Sequence, residues 1–499
     1  MRAMLDERTI ILDVEVGIYR GNIQKYIGFF LSLLVTGKEG FGPGDQDWGY
    51  YEVRPGAHMF YWLYYTKASS DRPLVIWLQG GPGSSSAGYG NFQEIGLLDI
   101  DLKERNTSWV NEVNVLYIDN PVGSGFSYVE SDDLLVSNNQ QIATDLVNFT
   151  RQFMNEHSQF RTTPTYIFTE SYGGKMTVEF ALYLQKDIEA GNVQANLKGV
   201  ALGDSWISPL DYCMSYADYL LNTGMVDYEG YEKINEAAQR VKGAVESERW
   251  VDALFEDSAL LSLIQSEAYG ANLYNILCSV PAGIARLQST NIDGTFIATI
   301  INYGNACSKK IKSDRLFFAN TTGFTTFFSS SPKRSDGTFS LGCNLSQQPT
   351  SCDFGTVQLA ELMNGQVRDK LGVPSNLTWT FENLVVYAAL VGDLMKPVNH
   401  IVERLLNETS LNVVVYTGQL DLMIDPPGSL RWVQRLQWPG AEGWRNAARE
   451  PLSVNGVLEG YVKSHLNLSF YWIARAGHMV PSDNPYAALE LLRQVTHYS

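Results

Sequence analysis

Apolar runs and helical spacings alternate along most of the chain. Four short apolar runs are typical of buried strands: Leu74–Leu78, Tyr166-Ile-Phe168, Val413-Val-Val-Tyr416 and Leu468–Ile473. After the second run, Met176, Phe180 and Leu184 recur at the spacing of one helix face. The alternation covers residues 74–204 and resumes from about 384 to the C-terminus. This pattern predicts an α/β fold with a mostly parallel sheet covered by helices on both faces.

A serine lies at the predicted turn between the second strand and the helix that follows it, in Thr169-Glu-Ser-Tyr-Gly-Gly174. The two glycines permit a cramped turn, and such a turn projects the Ser171 hydroxyl from the carboxyl end of a sheet. Motifs of this kind usually have a glycine two residues before the serine, whereas this chain has Thr169. Taken alone, the motif therefore also fits an ordinary strand-to-helix turn.

The strand Leu74–Leu78 is followed by a glycine-rich loop, Gln79-Gly-Gly-Pro-Gly-Ser-Ser-Ser86. The backbone N–H groups of such a loop are free to point at an anion, as an oxyanion hole requires. A serine on a sharp turn together with an anion-binding loop indicates acyl transfer.

Two later strands are followed by residues that would complete a catalytic triad. Asp421 ends the loop after the third apolar run, and His478 comes shortly after the fourth. The chain order Ser171, Asp421, His478, each just past a strand, is that of an α/β-hydrolase triad.

Three other acids compete with Asp421 for the middle position of the triad. Asp204 and Asp393 end apolar, strand-like runs, and Asp425 lies four residues further along the chain. Asp421 is preferred because it follows the penultimate predicted strand.

The other histidines do not indicate a metal centre. The chain has neither a His-x-x-x-His nor a Cys-x-x-Cys spacing, so we expect no metal and no cofactor. The aromatic run at residues 60–65 predicts a hydrophobic strand and not a cofactor platform. The histidines concerned are His58, His157, His400, His465 and His497.

Residues 210–380 break the alternation. This region opens helically over residues 228–268 and then becomes rich in Gly, Ser, Asn and Thr. It carries four of the five cysteines, as disulfides within a loop-rich insertion would require: Cys278, Cys307, Cys343 and Cys352. The fifth cysteine, Cys213, lies near the start of this region, away from the other four, and has no predicted partner. We expect residues 41–499 to form one catalytic domain, interrupted by a cap at about 210–380.

Length and charge narrow the class of protein. With 499 residues and 45% hydrophobic content, the chain can bury a large core. The net charge of −17 argues against nucleic acid as a partner. It suits an acidic compartment, where protonation of carboxylates brings the charge nearer to zero. No apolar run is long enough to predict a membrane span.

Residues 26–36 are the candidate targeting segment, with the length of a signal-peptide core and with Arg20 and Lys25 before it. We expect a leader over residues 1–40 that carries a secretory signal behind an extended start. The alternative is a short buried helix. Asn-x-Ser/Thr sequons support secretion and are glycosylation candidates: Asn106, Asn148, Asn320, Asn344, Asn376, Asn407 and Asn467.

Four blocks of the chain resemble the serine carboxypeptidases of the α/β-hydrolase fold. They are Trp77-Leu-Gln-Gly-Gly-Pro-Gly-Ser-Ser-Ser86, Asp119-Asn-Pro-Val-Gly-Ser-Gly-Phe-Ser-Tyr128, Glu170-Ser-Tyr-Gly-Gly174 and Ala476-Gly-His-Met-Val-Pro481. The resemblance runs from about Tyr50 to the C-terminus and is loose in the middle third. Gln79, Lys175 and the block Gly203-Asp-Ser-Trp-Ile-Ser-Pro209 are similar to the retinoid-inducible branch of that family.

The resemblance implies a role for each candidate residue. Ser171 would attack the last peptide bond, His478 would carry its proton to the departing amino acid, and Asp421 would hold the imidazole tautomer. The backbone amides of Gly81 and Tyr172 resemble the family's oxyanion hole.

By the same resemblance, Gln79, the Gly80 amide, Glu94 and Glu170 would bind the substrate's free C-terminal carboxylate. Two acids can face a carboxylate if they share a proton, because close carboxyl groups raise one pKa. Such a site works in acid and fails as the proton is lost. Considered singly, Glu170 also fits a solvated acid in a turn, and Glu94 a surface residue.

Two positions depart from the family pattern. Gln79 stands where the family usually has asparagine, so its longer amide must reach the same contacts from a shifted position. Ser84 stands where the family commonly has a cysteine that ties the loop to the insertion. Without that disulfide, we expect a looser loop and less efficient catalysis than in typical members.

The leading prediction is a secreted or lysosomal, acid-active serine carboxypeptidase that releases C-terminal amino acids from peptides and proteins through an acyl-enzyme. An esterase or acyltransferase of the same fold is the first alternative. A weakly active binding protein on a hydrolase scaffold is the second. The sequence does not indicate the preferred C-terminal residue or the oligomeric state.

Overall fold

A computed structural model of the chain describes residues 37–69, 71–278 and 355–497. The chain divides into two units between Lys38 and Glu39, and all the elements described below lie in the second unit except Lys38 of the two-residue strand β1. The candidate signal segment, most of the predicted leader over 1–40 and residues 279–354 of the predicted cap lie outside the described residues.

The strands of the described residues belong to one mixed sheet. In chain order they are β1 Lys38–Glu39, β2 Asp45–Arg54, β3 Ala57–Tyr64, β4 Leu74–Leu78, β5 Asn114–Ile118, β6 Tyr128–Val129, β7 Pro164–Glu170, β8 Asn196–Gly203, β9 Asn412–Gly418, β10 Glu450–Val454, β11 Val457–His465 and β12 Leu468–Ile473. From β2 onward the spatial order is β2-β3-β5-β4-β7-β8-β9-β12-β11-β10, and β6 pairs with β3.

The central strands are parallel and the flanking ones antiparallel. Parallel pairing runs from β5 through β4, β7, β8 and β9 to β12. β2 and β3 on one side and β11 and β10 on the other are antiparallel. The predicted mostly parallel sheet is confirmed, and so are the strands predicted at Leu74–Leu78 and Leu468–Ile473.

The α-helices of the described residues connect and cover these strands. They are α1 Asn139–Glu156, α2 Tyr172–Glu189, α3 Pro209–Cys213, α4 Tyr216–Asn222, α5 Tyr228–Glu246, α6 Trp250–Glu267, α7 Thr356–Leu362, α8 Arg368–Leu371, α9 Leu384–Ala389, α10 Asn399–Glu408, α11 Pro426–Arg435, α12 Ala441–Asn446, α13 Val480–Asp483 and α14 Pro485–Thr496. Ser86–Ile95 and Met363–Val367 are π-helical, and single 3₁₀ turns occur at Trp109–Asn111, Asp132–Leu134 and Ser158–Arg161.

Helices cover both faces because the central strands are apolar on both sides. Strand β4 is buried along its whole length, as expected for a parallel strand covered on two faces. Ile76 belongs to the apolar core on one face, together with Leu146 of α1. Trp77 belongs to the core on the other face, together with Leu491 of α14. The predicted covering of both faces is therefore confirmed.

The described part of the insertion opens helically, as the sequence predicts. Helices α5 and α6 pack against each other, with Ile234, Val241 and Leu260 buried. These side chains join the same apolar core as the first face of the sheet. Among the described helices, none combines the length and apolarity needed to cross a membrane.

Candidate active site

The candidate residues converge because the central strands end in register. Leu78 of β4 pairs with Thr169 of β7, and Glu170 of β7 pairs with Gly203 of β8. Tyr416 of β9 also pairs with Gly203. The carboxyl ends of parallel strands meet at one edge of a sheet, where ligands bind in α/β folds. Loops carrying Gln79, Ser171, Asp421 and His478 therefore leave the sheet along the same edge.

Ser171 occupies a strained turn between β7 and α2. Its backbone has φ 59° and ψ −129°, a positive-φ conformation that residues other than glycine rarely adopt. The Ser171 N–H donates to the Gly203 carbonyl at 3.0 Å, and the Ser171 carbonyl accepts from Trp206 N at 2.9 Å. A side chain at Gly173 would collide with Thr169. The turn is thus fixed on both sides, as a nucleophile elbow requires.

Thr169 stands two residues before the serine, where motifs of this kind usually have glycine, and its side chain makes a contact that glycine could not make. Its hydroxyl donates to the Leu78 carbonyl at 2.8 Å, so the side chain is used between β7 and β4. Thr169 is fully buried at this point of the sheet. The threonine links the serine turn to the start of the glycine-rich loop.

His478 and Asp421 form a buried hydrogen-bonded pair. His478 Nδ1 lies 2.7 Å from Asp421 Oδ2, and Ile424 N donates to Asp421 Oδ1 at 3.2 Å. Burial lowers the pKa of His478 to about 4 and raises the pKa of Asp421 well above its ordinary value. Because the pKa of the imidazole is that low, its neutral form donates from Nδ1 to Asp421 and leaves Nε2 as the basic nitrogen.

Each competing acid has a different partner. Asp425 accepts from Gly428 N at 2.6 Å and so caps helix α11. Asp393 forms a buried ion pair with Lys175 at 3.0 Å. Asp204 accepts from Gly418 N at 2.9 Å. Among the described acids, Asp421 is the one hydrogen-bonded to the imidazole of His478.

The glycine-rich loop approaches the serine turn at backbone distance. A Cβ atom at Gly80 would lie 2.6 Å from the Cβ of Ser171, so the approach requires glycine. Gly81 has φ +103°, which side chains rarely adopt. Tyr172 N is the first amide of α2, and such amides lack a partner within their own helix. Amides from both loops can therefore point at an anion next to Ser171.

Gln79, Glu94 and Glu170 form a buried polar cluster beside the elbow. Trp77 Nε1 donates to Gln79 Oε1 at 2.8 Å, and Gln79 Nε2 donates to Glu170 Oε1 at 2.8 Å. Because an indole N–H can donate but not accept, it fixes the orientation of the Gln79 amide. The longer glutamine side chain thus has its own partner, Trp77.

Glu94 and Glu170 face each other with too few donors for two carboxylates. Glu94 Oε1 and Oε2 and Glu170 Oε2 are buried and accept no bond from a conventional donor among the described residues. Burial raises the pKa of Glu94 to about 7. Burial, and next the charge of Glu94, raises the pKa of Glu170 well above its ordinary value. A proton held between the two carboxyl groups would join Glu170 Oε2 to one oxygen of Glu94.

Residues 38–498 match the protein family described as serine carboxypeptidase. The chain belongs to the serine carboxypeptidase family. It is 36% identical to the retinoid-inducible serine carboxypeptidase of Rattus norvegicus over 91% of this chain and 92% of the relative. The human protein of that name is 37% identical over the same shares, and the serine carboxypeptidase-like 51 of Arabidopsis thaliana is 35% identical over 91% and 92%. The predicted resemblance to this branch is confirmed.

The fold is also that of a solved carboxypeptidase. A prohormone-processing carboxypeptidase from Saccharomyces cerevisiae superposes with a TM-score of 0.69 at 19% sequence identity, over 91% of each chain. This likeness confirms the predicted α/β-hydrolase fold. With the family match, it identifies the protein as a hydrolase of the serine carboxypeptidase type.

This serine carboxypeptidase braces its glycine-rich loop without the family's cysteine at position 84. Ser84 pairs with Glu382 in an isolated antiparallel bridge. Ser85 N donates to the Phe381 carbonyl at 3.1 Å, and Asn383 N donates to the Gly83 carbonyl at 3.0 Å. The loop that was expected to be looser is therefore held to residues 381–383 by backbone hydrogen bonds.

Trp379 and Asp119 add a side-chain brace to the same loop. Trp379 Nε1 donates to Ser85 Oγ at 2.9 Å, and Ser85 Oγ donates to Asp119 Oδ1 at 2.7 Å. Asp119 also accepts from Ala87 N at 3.0 Å and from Phe126 N at 2.9 Å. The sequence block that begins at Asp119 does not indicate this role, because the partners of Asp119 lie on other loops.

Arg105 is a second residue whose role is not indicated by the sequence. Its guanidinium donates to the carbonyls of Gly96 at 2.7 Å, Phe92 at 2.8 Å and Leu98 at 3.0 Å. These contacts hold the end of the π-helical segment Ser86–Ile95, which carries Glu94. No local motif marks an arginine that binds carbonyls, so the sequence alone gave no signal for it.

The candidate glycosylation sites differ in accessibility. Asn106, Asn376 and Asn407 are exposed. Asn148 lies within α1, where its amide donates to the Val53 carbonyl at 3.1 Å, and Asn467 donates to the Leu411 carbonyl at 3.2 Å. The sites Asn320 and Asn344 lie outside the described residues, as do Cys307, Cys343 and Cys352. Cys213 is a buried free thiol.

Proposed function

We propose that the enzyme releases C-terminal amino acids from peptides through an acyl-enzyme on Ser171. One observation carries the proposal: the buried His478–Asp421 pair and the buried Glu94–Glu170 pair flank the same serine turn. The first pair supplies a base for a nucleophile. The second supplies a site for a substrate carboxylate, which an exopeptidase must recognise.

In the acylation step, Ser171 Oγ attacks the carbonyl carbon of the last peptide bond. His478 Nε2 takes the hydroxyl proton and gives it to the departing amine, so that the C–N bond breaks as the ester forms. Asp421 keeps the proton on Nδ1 throughout. In deacylation a water molecule attacks the ester, His478 takes its proton, and Ser171 is regenerated.

The negative oxygen of each tetrahedral intermediate would accept from the backbone amides of Gly81 and Tyr172. Both belong to rigid elements, one in the braced glycine loop and one at the start of α2. Donors fixed before the reaction stabilise the transition state without reorganisation, and each is typically worth on the order of 10²–10³ in rate.

The C-terminal carboxylate of the substrate would bind to Gln79, the Gly80 amide, Glu94 and Glu170. Gln79 has its carbonyl oxygen occupied by Trp77, so its amide nitrogen is the end that can donate to an anion. The proton held by Glu94 and Glu170 supplies a further donor. Once that proton is lost, two carboxylates oppose a third, and binding weakens.

These two sites together favour an acidic working range. His478 has its pKa lowered to about 4 and is therefore a neutral base above that pH. Glu94 keeps its proton up to about pH 7, the value to which burial raises its pKa, and burial raises the pKa of Glu170 well above its ordinary value. Activity between these limits fits the lumen of an acidic secretory or lysosomal compartment. The exposed sequons Asn106, Asn376 and Asn407 are compatible with that route.

A fluorophosphonate probe combined with a C-terminal peptide ladder tests the proposal. The probe labels an activated serine, and mass spectrometry of a digested peptide reveals the sequential loss of C-terminal residues. We expect labelling at Ser171 and a ladder. Labelling without a ladder would instead indicate an esterase or acyltransferase, and neither would indicate a binding protein on the scaffold.

A further inference from the structure

Asp204 lies directly beneath the loop that carries Asp421. It follows β8 with φ 36° and is 1% exposed. Gly418 N donates to Asp204 Oδ1 at 2.9 Å, and Thr417 Oγ1 donates to the same oxygen at 3.0 Å. Asp204 N donates to the Tyr416 carbonyl at 2.9 Å. Asp204 therefore holds the end of β9, from which the Asp421 loop departs.

The carboxyl groups of Asp204 and Asp421 face each other closely enough to interact. Two ionised carboxylates repel and cannot donate to each other, so a hydrogen bond between them requires a proton on one of the pair. Oδ1 of Asp204 accepts from Gly418 N and Thr417 Oγ1, whereas Oδ2 accepts, from the described residues, only the longer branch of the Gly418 N bond, at 3.2 Å, so Oδ2 is the oxygen with room for the proton. Asp421 accepts from both His478 and Ile424 and is the member that must remain an acceptor.

We propose that Asp204 is a positioning residue of the active site: its protonated carboxyl donates a hydrogen bond to Asp421, and that bond keeps His478 a neutral base in acid. The inference rests on the proposed function and deepens it. A donor on Asp421 withdraws negative charge from the oxygens that face the imidazole. The imidazolium form of His478 is then less stabilised, so the pKa of His478 stays low. The acid limb of the pH profile, where activity is lost because His478 becomes protonated, therefore stays at low pH.

The electrostatic directions agree with this geometry. Burial raises the pKa of Asp204 well above its ordinary value, and the charge of Asp421 raises it further. An ionised Asp204 would raise the pKa of His478, whereas a neutral one adds no such charge. The enzyme thus needs the proton on Asp204 in order to work in acid.

Several other titratable groups face this pair from neighbouring elements. Asp204 interacts with Glu170 at the end of β7, with Tyr416 on β9 and with Tyr219 on α4. His478 additionally interacts with Glu94 and Asp483. The two tyrosines have raised pKa values because of burial, so they stay neutral in the acidic range, and burial raises the pKa of Glu94 to about 7. Burial also raises the pKa of Asp483 above its ordinary value, but Asp483 is the same in the parent and in the Asp204 variants, so it does not contribute to a difference between them.

Two substitutions at Asp204 separate positioning from structure. Asp204→Asn keeps a donor toward Asp421 and an acceptor for Gly418, and asparagine tolerates a positive φ. Asp204→Gly removes the side chain but suits the positive φ, so it introduces no backbone strain. Asp425→Asn is the matched control, since it makes the same change in a second buried acid. Asp425 is fully buried and caps helix α11.

The measurement is the pH dependence of the fluorophosphonate labelling rate constant, confirmed by kcat on a peptide. That rate constant is independent of the folded fraction of the sample. We expect the acid limb of Asp204→Gly to move up by about one pH unit. We expect Asp204→Asn and Asp425→Asn to keep the limb of the parent enzyme.

Either of two results would overturn the inference. One is an Asp204→Gly acid limb at the parent's pH, and the other is an upward shift in Asp204→Asn. If Asp204→Gly does not fold, the Asp204→Asn profile decides alone. A parent enzyme that neither labels nor cleaves peptides would instead refute the proposed function, so the two failures are distinguishable.

Discussion

Nδ1 of His478 lies 2.7 Å from Oδ2 of Asp421, and both side chains are almost completely buried. The first residue follows β12 and the second follows β9, and these two strands pair in parallel with Ile473 opposite Gly418. Strand register thus brings together an acid and a base that are 57 residues apart in the chain. The turn after β7, which carries Ser171, lies at the same edge of the sheet.

Ser171→Ala is expected to lower kcat/KM by about 10⁴-fold or more, because the alanine cannot form the ester. His478→Ala should be comparably severe, and the double variant should be no worse than the single ones, since the residues act as a unit. Steady-state kinetics on a peptide substrate measures all three. Ser262→Ala on α6, which removes a similar hydroxyl, is the control and should retain full activity. Substantial activity in Ser171→Ala would refute its role as nucleophile.

Glu94→Gln is expected to flatten the pH dependence of KM. In the parent enzyme, KM should rise toward neutral pH because Glu94 loses its proton as pH passes through about 7, the value to which burial raises its pKa. A glutamine amide donates at every pH, so the variant lacks this transition. The measurement is KM between about pH 4.5 and 7.5. A level KM in the parent over that range would rule out the shared proton.

The folded enzyme should be more stable in mild acid than at neutral pH. Burial raises the pKa of Glu94 to about 7, of Asp425 to about 8, and of Asp119 and Asp257 to about 6. Each such carboxyl binds more protons when folded than when unfolded, so the free energy of unfolding falls as pH rises between its unfolded and folded pKa values. His478, with its pKa lowered to about 4, acts in the opposite direction below about pH 6.5.

Thermal unfolding at pH 5, 6.5 and 8 tests this balance. Four carboxyls oppose one histidine, so we expect Tm to fall by several °C from pH 5 to pH 8. Asp425→Asn keeps a good helix N-cap and removes one titrating group, so its Tm should vary less with pH. A Tm that rises over this interval would contradict the assignment of raised pKa values.

Trp379→Phe tests the brace on the glycine-rich loop. The substitution removes the indole N–H that donates to Ser85 Oγ at 2.9 Å and leaves the aromatic ring. We expect kcat to fall about tenfold with little change in KM, because the loop amides no longer hold their positions. Trp48→Phe is the control, since it loses a comparable bond to the Leu371 carbonyl at 2.8 Å, away from the loop. Equal kcat in both variants would show that the brace does not affect catalysis.

Local patterns in the sequence were sufficient to predict the sheet and the elbow. The run at β4 is continuous and apolar because this strand is covered on both faces, and its bounds follow directly from that pattern. The run at β12 is mostly apolar and mostly buried, and the same kind of pattern predicts its bounds. Ser171 is marked by a strand, a glycine-rich turn and a helical spacing within a few residues. Asp421 and His478 follow from chain order, since loops after parallel strands share one edge.

Contacts between distant loops could not be predicted in the same way. Position 84 has a serine where the family commonly has a cysteine. The sequence does not reveal that residues 379–383 hold the loop by hydrogen bonds instead of a disulfide. Asp204 ends an apolar run just as a triad acid would, and its role depends on the register of β8 with β9. Arg105 binds carbonyls, which carry no sequence signal. These features depend on tertiary packing and not on local pattern.

The most direct test of the account compares one peptide as its free C-terminal acid and as its C-terminal amide. The central claim is that Ser171 acts on substrates held by their terminal carboxylate, through Gln79, Glu94 and Glu170. At pH 5 we expect kcat/KM for the free acid to exceed that for the amide by about 100-fold or more, since a charged hydrogen-bonded contact is worth about 1.5–3 kcal/mol and several are lost. Equal values for the two peptides would contradict the account.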